Sequence, residues 1–208
     1  MTPPSPWGDD AVLPTVIQGG MGVGVSAWRL ASAVAATGQL GVVSGTALDV
    51  VMTRRLQDGD PDGAMRRAFA AFPDPEAAAR VLDTYFRPNG RPRGAPYRPL
   101  PRLSLRQDRK AQQLMVLANF AEVWLAKEGH EGAVGINFLE KVQMATPAAT
   151  YGAILAGVGV AIWTFSRKLI PTGPSWPSLA SQTSAKLARA ISCWARRSCR
   201  SERRGSGR

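Results

Sequence analysis

Five consecutive residues near the start of the chain form the stretch best suited to hold a ligand. They are Gln18, Gly19, Gly20, Met21 and Gly22. Because glycine has no Cβ atom, this backbone can turn sharply and approach a flat ligand closely. The alternative is a tight turn between a strand and a helix that binds nothing.

The glycine-rich turn is predicted to join a strand to a helix. The β-branched run of residues 15–17 (Thr-Val-Ile) predicts a buried strand, and the hydroxyl of Ser26 can cap a helix by accepting from first-turn N–H groups. Apolar residues then recur at helical spacing until Gly38, which favours a helix end. A second apolar run, residues 40–43, ends in a Ser-Gly-Thr turn. One βαβ unit with a parallel sheet is expected, and a ligand would lie at the carboxyl ends of its strands.

A polar residue also lies inside a later apolar run. Residues 134–139 read Val-Gly-Ile-Asn-Phe-Leu and predict a third strand that contains Asn137. A buried amide needs hydrogen-bond partners. Asn137 could therefore bind a carbonyl or ring nitrogen of a ligand, or the backbone of a neighbouring loop.

Two blocks of the sequence resemble one enzyme family. The first block is QGGMGVGVS followed by LASAVAATGQLGVVSGTALD, and the second is NFAEVWLAKEGH followed by GINFLEK. Both are similar to segments of the nitronate monooxygenases, formerly called 2-nitropropane dioxygenases. The resemblance covers residues 13–158.

The resemblance implies an FMN-dependent TIM barrel that oxidises alkyl nitronates with O₂ to a carbonyl compound and nitrite. It places the flavin against Gln18, Gly19, Gly20, Met21, Gly22, Ser44, Gly45 and Asn137. Members of the family commonly use a histidine base after a later strand. The only histidine, His130, precedes the third strand, at the wrong end of a barrel for catalysis. No catalytic base and no metal ligand is assigned.

Other functions stay open on the sequence. Gly22-x-Gly24-x-x-Ala27 fits a dinucleotide-binding fingerprint, but the nearest acid, Asp49, lies five residues after Ser44, so we rank this below the flavin barrel. The same family includes flavin-dependent enoyl-thioester reductases of lipid synthesis. A third alternative is an inactive fragment whose basic tail binds nucleic acid.

A helical insertion is predicted between the second and third strands. Residues 49–87 predict three amphipathic helices, the second starting at Asp60-Pro61 and the third at Asp74-Pro75. Residues 87–103 contain five arginines and no acidic residue, which predicts a basic surface loop.

Two further helices are predicted around the third strand. Ser104 is expected to cap a helix that Gly129 ends, and Thr146-Pro147 favours the start of another that Gly157 ends.

The sequence changes character after residue 158. Residues 158–208 contain ten Lys and Arg and one acidic residue, whereas residues 1–157 contain 16 basic and 14 acidic residues. This mixture of Ser, Arg, Pro and Trp is typical of an out-of-frame reading of a GC-rich coding region, so we expect a frameshift or truncation. Residues 1–158 are then the N-terminal half of a flavin-binding barrel, and residues 159–208 are an irregular basic tail.

The chain is too short for a whole barrel. It has 208 residues, and a (β/α)₈ barrel takes about 250. Residues 158–165 can supply a fourth strand, but the 43 residues after them cannot supply four more units of roughly 25–30 residues each. The expected fold class is α/β, a partial TIM barrel with a helical insertion. Its open strand edges predict a homo-oligomer.

The remaining properties favour a cytoplasmic protein with a small-molecule substrate. The chain has no apolar run long enough for a transmembrane helix, and its first ten residues lack the apolar core of a secretory signal. The net charge of +11 belongs to the tail, so neither sequence-specific nucleic-acid binding nor membrane binding is expected. Cys193 and Cys199 lack the spacing of a metal site.

Overall fold

A three-stranded parallel sheet lies at the centre of the fold. The computed structural model describes residues 14–104, 108–139 and 141–164. The strands are β1 (Gly41–Ser44), β2 (Val134–Leu139) and β3 (Val160–Thr164). They lie side by side in chain order, and both neighbouring pairs are parallel. The α/β class with a parallel sheet is therefore confirmed.

Six helices accompany these strands in the described part of the chain. They are α1 (Trp28–Ala35), α2 (Leu48–Gln57), α3 (Ala64–Ala70), α4 (Pro75–Tyr85), α5 (Arg109–Lys127) and α6 (Thr146–Leu155). Helices α2 to α5 lie between β1 and β2 in the chain, and α6 lies between β2 and β3. The three helices predicted for residues 49–87 are confirmed as α2, α3 and α4.

Helix α5 forms the centre of the hydrophobic core. Its residues Leu117, Val123 and Leu125 are fully buried, and α1, α2 and α6 all pack against it. The approach of α6 is close because Gly152 has no side chain, and a Cβ atom there would collide with the backbone of Val116. The apolar face of α5 thus holds the helical layer together.

The two faces of the sheet have different surroundings. Val43 and Ile136, opposite each other in the β1–β2 register, belong to the core shared with the helices. Successive strand side chains point to opposite faces. Ser44 and Asn137, the next pair in the register, therefore lie on the face that points away from the helices.

The predicted strand at residues 15–17 is wrong in extent and in burial. The structure has only a single parallel bridge there, between Ile17 and Leu40. The side chains of Val16 and Ile17 are 57% and 60% exposed. The described structure places β1 on one side of this segment and no strand on the other, so the β-branched side chains are not covered.

Ser26 does not cap helix α1. Its hydroxyl instead accepts a hydrogen bond from the Met21 N–H at 3.1 Å, inside the glycine-rich turn. The helix begins at Trp28 after Ala27, which has no side chain able to cap. A carboxylate from α5, Glu122, supplies the missing acceptor for the Trp28 N–H.

Two more predicted helix starts are displaced. Helix α3 begins at Ala64 rather than at Asp60-Pro61, although the Asp60 carboxylate still accepts from the N–H groups of Met65 at 3.0 Å and Arg66 at 3.1 Å. Helix α5 begins at Arg109, and its cap is Asp108 instead of Ser104. In both cases an acid reaches the first turn from outside the helix, as the macrodipole favours.

Other local predictions are confirmed. Asp74 caps α4 by accepting from the Ala77 N–H at 2.9 Å, with Pro75 at the first helical position. Gly38 and Gly157 adopt left-handed φ angles just after α1 and α6. Helix α6 starts at Thr146, as expected.

The basic loop of residues 87–103 is irregular, as predicted, but it is firmly attached to α2. Two guanidinium groups lie over the ring of Tyr97, that of Arg91 at 4.0 Å and that of Arg54 at 5.0 Å from its centroid. Its hydroxyl donates to the Asp58 carboxylate at 2.7 Å. The Arg98 N–H donates to the side chain of Gln57 at 2.7 Å. Cation–π stacking and hydrogen bonds thus fix the loop to the C-terminal end of α2.

The sheet extends into the segment predicted as the tail. Strand β3 begins at Val160, within the stretch for which a fourth strand was one alternative. All described residues belong to the compact unit Val12–Arg167. The rest of the predicted tail, residues 165–208, lies outside the described residues.

One buried carboxylate connects three helices. Glu122 of α5 is 3% exposed. Its Oε1 accepts from the Trp28 N–H at the start of α1 at 2.8 Å, and its Oε2 accepts from Arg55 of α2 at 2.7 Å. Both carboxylate oxygens are therefore satisfied, which a buried charge requires.

We expect Glu122→Ala to lower the free energy of unfolding by about 3 kcal/mol, because removing one partner of a buried ion pair leaves the charge of the other unpaired. Urea unfolding followed by circular dichroism measures this change. The matched control is Glu128→Ala, which removes the exposed pair with Arg67, and it should change stability far less. Equal losses from the two variants would contradict the structural role of Glu122.

Candidate functional site

The residues predicted to hold a ligand converge at the carboxyl edge of the sheet. The side-chain amide of Asn137 in β2 donates to the backbone carbonyl of Gly19 at 3.0 Å. The Gly45 N–H, just after β1, donates to the backbone carbonyl of Asn137 at 2.8 Å. The glycine-rich turn and the ends of β1 and β2 therefore meet at one place, where α/β folds bind ligands.

The sequence left two partners open for the Asn137 amide, a ligand or the backbone of a neighbouring loop, and the structure shows the second. Asn137 binds the backbone of a neighbouring loop, Gly19, and in doing so fixes the glycine-rich turn against β2.

Gln18 anchors the turn to β1, and one of its hydrogen-bond donors stays unpaired within the described structure. Its backbone N–H donates to Leu40 at 3.0 Å, and its side-chain oxygen accepts from the Val42 N–H at 3.2 Å. The contact with an N–H group identifies this atom as the oxygen, so the other side-chain atom is the NH₂ group. That nitrogen is buried and has no partner among the described residues.

A second polar atom at this edge is also unsatisfied. Ser44 is 2% exposed, and its hydroxyl has no hydrogen-bond partner within the described structure. Leaving a buried polar group unpaired costs about 1–3 kcal/mol. An ordered water or a ligand can satisfy a group of this kind.

Two glycines of this edge lie where a side chain would not fit. Gly20 has a φ of +61°, and a Cβ atom there would lie 2.9 Å from Cβ of Asn137 and closer still to Val42. Gly45 packs against the ring of Phe138, 2.5 Å from where its Cβ would be. Both are thus required by packing within the protein.

The outer side of the turn is open. A Cβ atom added to Gly19 would meet nothing nearer than Met21 Cγ at 3.9 Å. The Met21 side chain is exposed, and Gly22 turns the backbone with a φ of +83°. Of the glycine-rich turn, Gly19, Met21 and Gly22 are exposed on this side.

A cavity of about 270 Å³ lies beside this edge, on the side that faces the helices. Its walls come from the turn after β1, the first turn of α2, the end of β2, and helices α5 and α6. Residues that define it are Gly45, Thr46, Asp49, Met115, Phe138 and Ala149. Gly45 therefore borders both the cavity and the edge that carries Ser44 and Asn137.

Asp49 is the acidic residue of the cavity wall. Burial raises the pKa of its carboxyl above the ordinary value, and hydrogen bonds from the N–H groups of Val50 and Asp49 lower it by less. The neighbouring Ala47 has a left-handed φ of +52°. A non-glycine residue in this region costs about 1–3 kcal/mol. A shifted carboxyl beside a cavity is a feature that functional sites share.

Sequence reasoning missed this cavity and used Asp49 only to weigh a dinucleotide fingerprint. Met115, Phe138 and Ala149 follow the same apolar patterns as core residues. The only signal available was an acid in the first turn of the helix after β1.

His130 lies away from both places. It sits in the loop between α5 and β2, at the amino end of the sheet. Its Nδ1 accepts from the Gly132 N–H at 3.1 Å, so its Nε2 donates to the Ala126 carbonyl at 2.8 Å. The His130 ring thus pairs with a backbone carbonyl in the last turn of α5.

Comparison of the chain with models of known families, with curated proteins and with solved structures gives no match. Among the described residues, no helix is long and apolar enough to cross a membrane. The same part of the chain contains no cluster of three or more His, Cys, Asp or Glu suited to a metal ion.

We expect Gly20→Ala to lower the free energy of unfolding by roughly 2–4 kcal/mol, since it combines a strained left-handed φ with overpacking against Val42. Gly19→Ala is the matched control, because its Cβ would make only an ordinary contact, with Met21 Cγ at 3.9 Å. Thermal and urea unfolding compare the two variants. A similar loss at both positions would show that the turn does not pack on the sheet as described.

The stability contribution of Asp49 should fall as the pH rises. The folded state holds the Asp49 proton more tightly than the unfolded state, so stability is lost from the ordinary pKa of about 3.9 upward. Relative to the wild type, Asp49→Asn should therefore become progressively more stable as the pH increases toward neutrality. Urea unfolding at several pH values measures the difference.

The control for this experiment is Thr46→Ala, a change in the wall of the same cavity at a residue that does not titrate. Its stability difference from the wild type should not vary with pH. A pH-independent difference for Asp49→Asn would contradict the raised pKa.

Proposed function

We propose that this chain is the N-terminal part of a flavin-dependent oxidoreductase of the nitronate monooxygenase type. The sheet corresponds in this proposal to part of a TIM barrel. Support comes from the sequential order of its parallel strands and from the helices that connect them. A barrel is a sheet of this kind continued until it closes.

The observation that carries the proposal is the pair of unsatisfied atoms at the carboxyl edge. The Gln18 amide nitrogen is a donor, and the Ser44 hydroxyl can donate or accept. The flavin ring system presents carbonyl oxygens and ring nitrogens along one edge, which match these groups. Gly19 leaves room for a flat ring, and Met21 offers it an apolar contact.

These features support the proposal that the ring of FMN binds at this edge. In the proposed holoprotein, Gln18 and Ser44 would bind the polar edge of the ring, and Gly45 and Asn137 would keep the turn from Gly19 to Gly22 in place. Bound FMN would supply the redox chemistry that oxidises a nitronate with O₂. The chain's own contribution is to bind and orient the ring and to shield one of its edges from water.

The phosphate of FMN has no counterpart in this site. TIM barrels commonly bind phosphate in the loops after strands 7 and 8, and the described strands do not extend that far. We assign no catalytic base and no metal. The proposal includes a small-molecule substrate and no sequence-specific nucleic-acid partner, and the cytoplasmic location stays a prediction.

A second candidate keeps the site and changes the substrate to an enoyl thioester, reduced with a nicotinamide cofactor. The loop of residues 87–103 favours it, because it carries five arginines and is fixed to α2 by Arg91, which stacks on Tyr97 and pairs with Asp58. Such a surface suits a phosphate-bearing acyl carrier. Turnover of nitronates or of enoyl thioesters by a longer homologous chain separates the two.

Ser44→Ala tests the flavin site without disturbing protein contacts. The Ser44 hydroxyl has no partner within the described structure, so its removal should leave the ligand-free protein equally or more stable. Flavin binding should weaken about tenfold through the lost hydrogen bond. Fluorescence titration gives the affinity, and thermal unfolding gives the stability. Ser32→Ala on α1 is the control and should change neither.

Riboflavin, which has the ring without the phosphate, sharpens the test. Because the proposed contacts involve the ring, riboflavin and FMN should bind with similar affinity. A strong preference for FMN would place a phosphate site in this chain and contradict the division drawn here. If neither compound bound the wild-type protein, the flavin proposal would be wrong.

A further inference from the structure

The cavity between the first turn of α2 and helices α5 and α6 is large enough for a small organic molecule. Its volume is about 270 Å³, whereas an apolar cavity of about 150 Å³ already binds benzene. Most of its wall is hydrocarbon, and the side chains that supply it are Leu103, Met115, Phe138, Leu139, Val142 and Ala149. The space therefore favours an aromatic ring or a short alkyl chain.

The cavity opens to solvent at the loop that follows β2. Val142 of this loop lines the cavity and is 46% exposed, and Met144 of the same loop is 55% exposed. Val142 therefore lies at the mouth of the cavity, where a small molecule can enter.

One charged group lies among these apolar side chains. Asp49 is the only ionisable residue among the described residues that line the cavity, and it makes no ion pair within the described structure. A carboxylate has about four lone-pair positions, and hydrogen bonds from the N–H groups of Val50 and of Asp49 itself leave some of them unused. Asp49 can therefore accept further hydrogen bonds from a ligand. An apolar space with one polar group is the usual composition of a small-molecule site.

The charges around the cavity favour a cationic ligand over an anionic one. The first turn of α6 lies at the cavity wall, and a helix N-terminus attracts negative charge. However, the N–H groups of Ala145 and Thr146 already donate to carbonyls of the preceding loop at 3.2 and 3.3 Å, and the next residue, Pro147, has no N–H group. None of the described residues that line the cavity is Lys, Arg or His. A ligand cation would thus meet the Asp49 carboxylate, and a ligand anion would be repelled by it.

We propose that this cavity binds a small primary amine with an apolar body, such as a phenylalkylamine. The ammonium group donates hydrogen bonds to the Asp49 carboxylate, and the apolar body packs against Met115, Phe138 and Ala149. Hydrogen bonds between ionised groups are roughly twice as strong as those between neutral groups, so the charge selects the ligand. This site is distinct from the one proposed for flavin, since Ser44 lies on the opposite face of the sheet.

Titration of the full chain with phenethylamine, followed by protein NMR, tests this proposal. Phenethyl alcohol has the same body with a neutral end, and phenylacetate has an anionic end. We expect the amine to bind about tenfold or more tightly than the alcohol, and phenylacetate to bind most weakly. The chemical shifts of Thr46, Met115 and Ala149 should change on binding, whereas that of Gly19 should not.

Two variants separate the contribution of the charge from that of the space. Asp49→Asn keeps the shape of the side chain and should weaken amine binding about tenfold or more while leaving phenethyl alcohol binding unchanged. Its matched control is Asp83→Asn, which removes an exposed carboxylate of α4 that does not line the cavity, and it should change neither affinity. Ala149→Leu fills part of the cavity and should weaken both compounds, while circular dichroism shows unchanged helix content.

Three results would overturn the proposal. Phenethylamine could fail to bind the wild type, the alcohol or phenylacetate could bind as tightly as the amine, or Asp49→Asn could bind the amine as tightly as the wild type does. None of them depends on flavin, because the titrations contain no flavin and Asp49 is not among the residues assigned to the ring. Failure of one proposal therefore leaves the other standing.

Discussion

The fold depends on the two hydrogen bonds that Glu122 makes from the centre of α5. One reaches the first N–H of α1, and the other reaches Arg55 of α2. These two helices come directly before and after β1, so the same carboxylate fixes the strand that ends at Ser44. The two partners joined by the first bond are 94 residues apart in the chain. A side chain of α5 thus fixes the start of α1, the helix that follows the glycine-rich turn.

The sequence predicted the elements whose signals are local. The strand at residues 134–139, the cap at Asp74 and the glycine after α1 each follow from a few neighbouring residues, and the structure has them. The start of α1 could not be found in this way, because its acceptor is Glu122 and comes from another helix. Ser26 misled for a different reason, because its hydroxyl accepts a hydrogen bond from the Met21 N–H in the preceding turn.

The location of the candidate site could be predicted from the sequence, but the burial and contacts of its side chains could not. The meeting of Gly19, Gly45 and Asn137 follows from parallel strands that end at one edge. That the Ser44 hydroxyl would be buried without a partner depends on packing from both strands, which no spacing reveals. The exposure of Val16 and Ile17 was likewise hidden, because β-branched residues look the same in a covered strand and at an open edge.

The loop of residues 87–103 is more ordered than its composition suggests. Its prolines, glycines and arginines are those of a flexible linker, and every arginine not followed by proline is a potential trypsin site. Yet the ring of Tyr97 contacts two guanidinium groups, and its hydroxyl donates a hydrogen bond to Asp58. A protease must draw an extended segment into its cleft, and a loop fixed to a helix resists this. We therefore expect the loop of residues 87–103 to resist limited digestion more than its composition suggests.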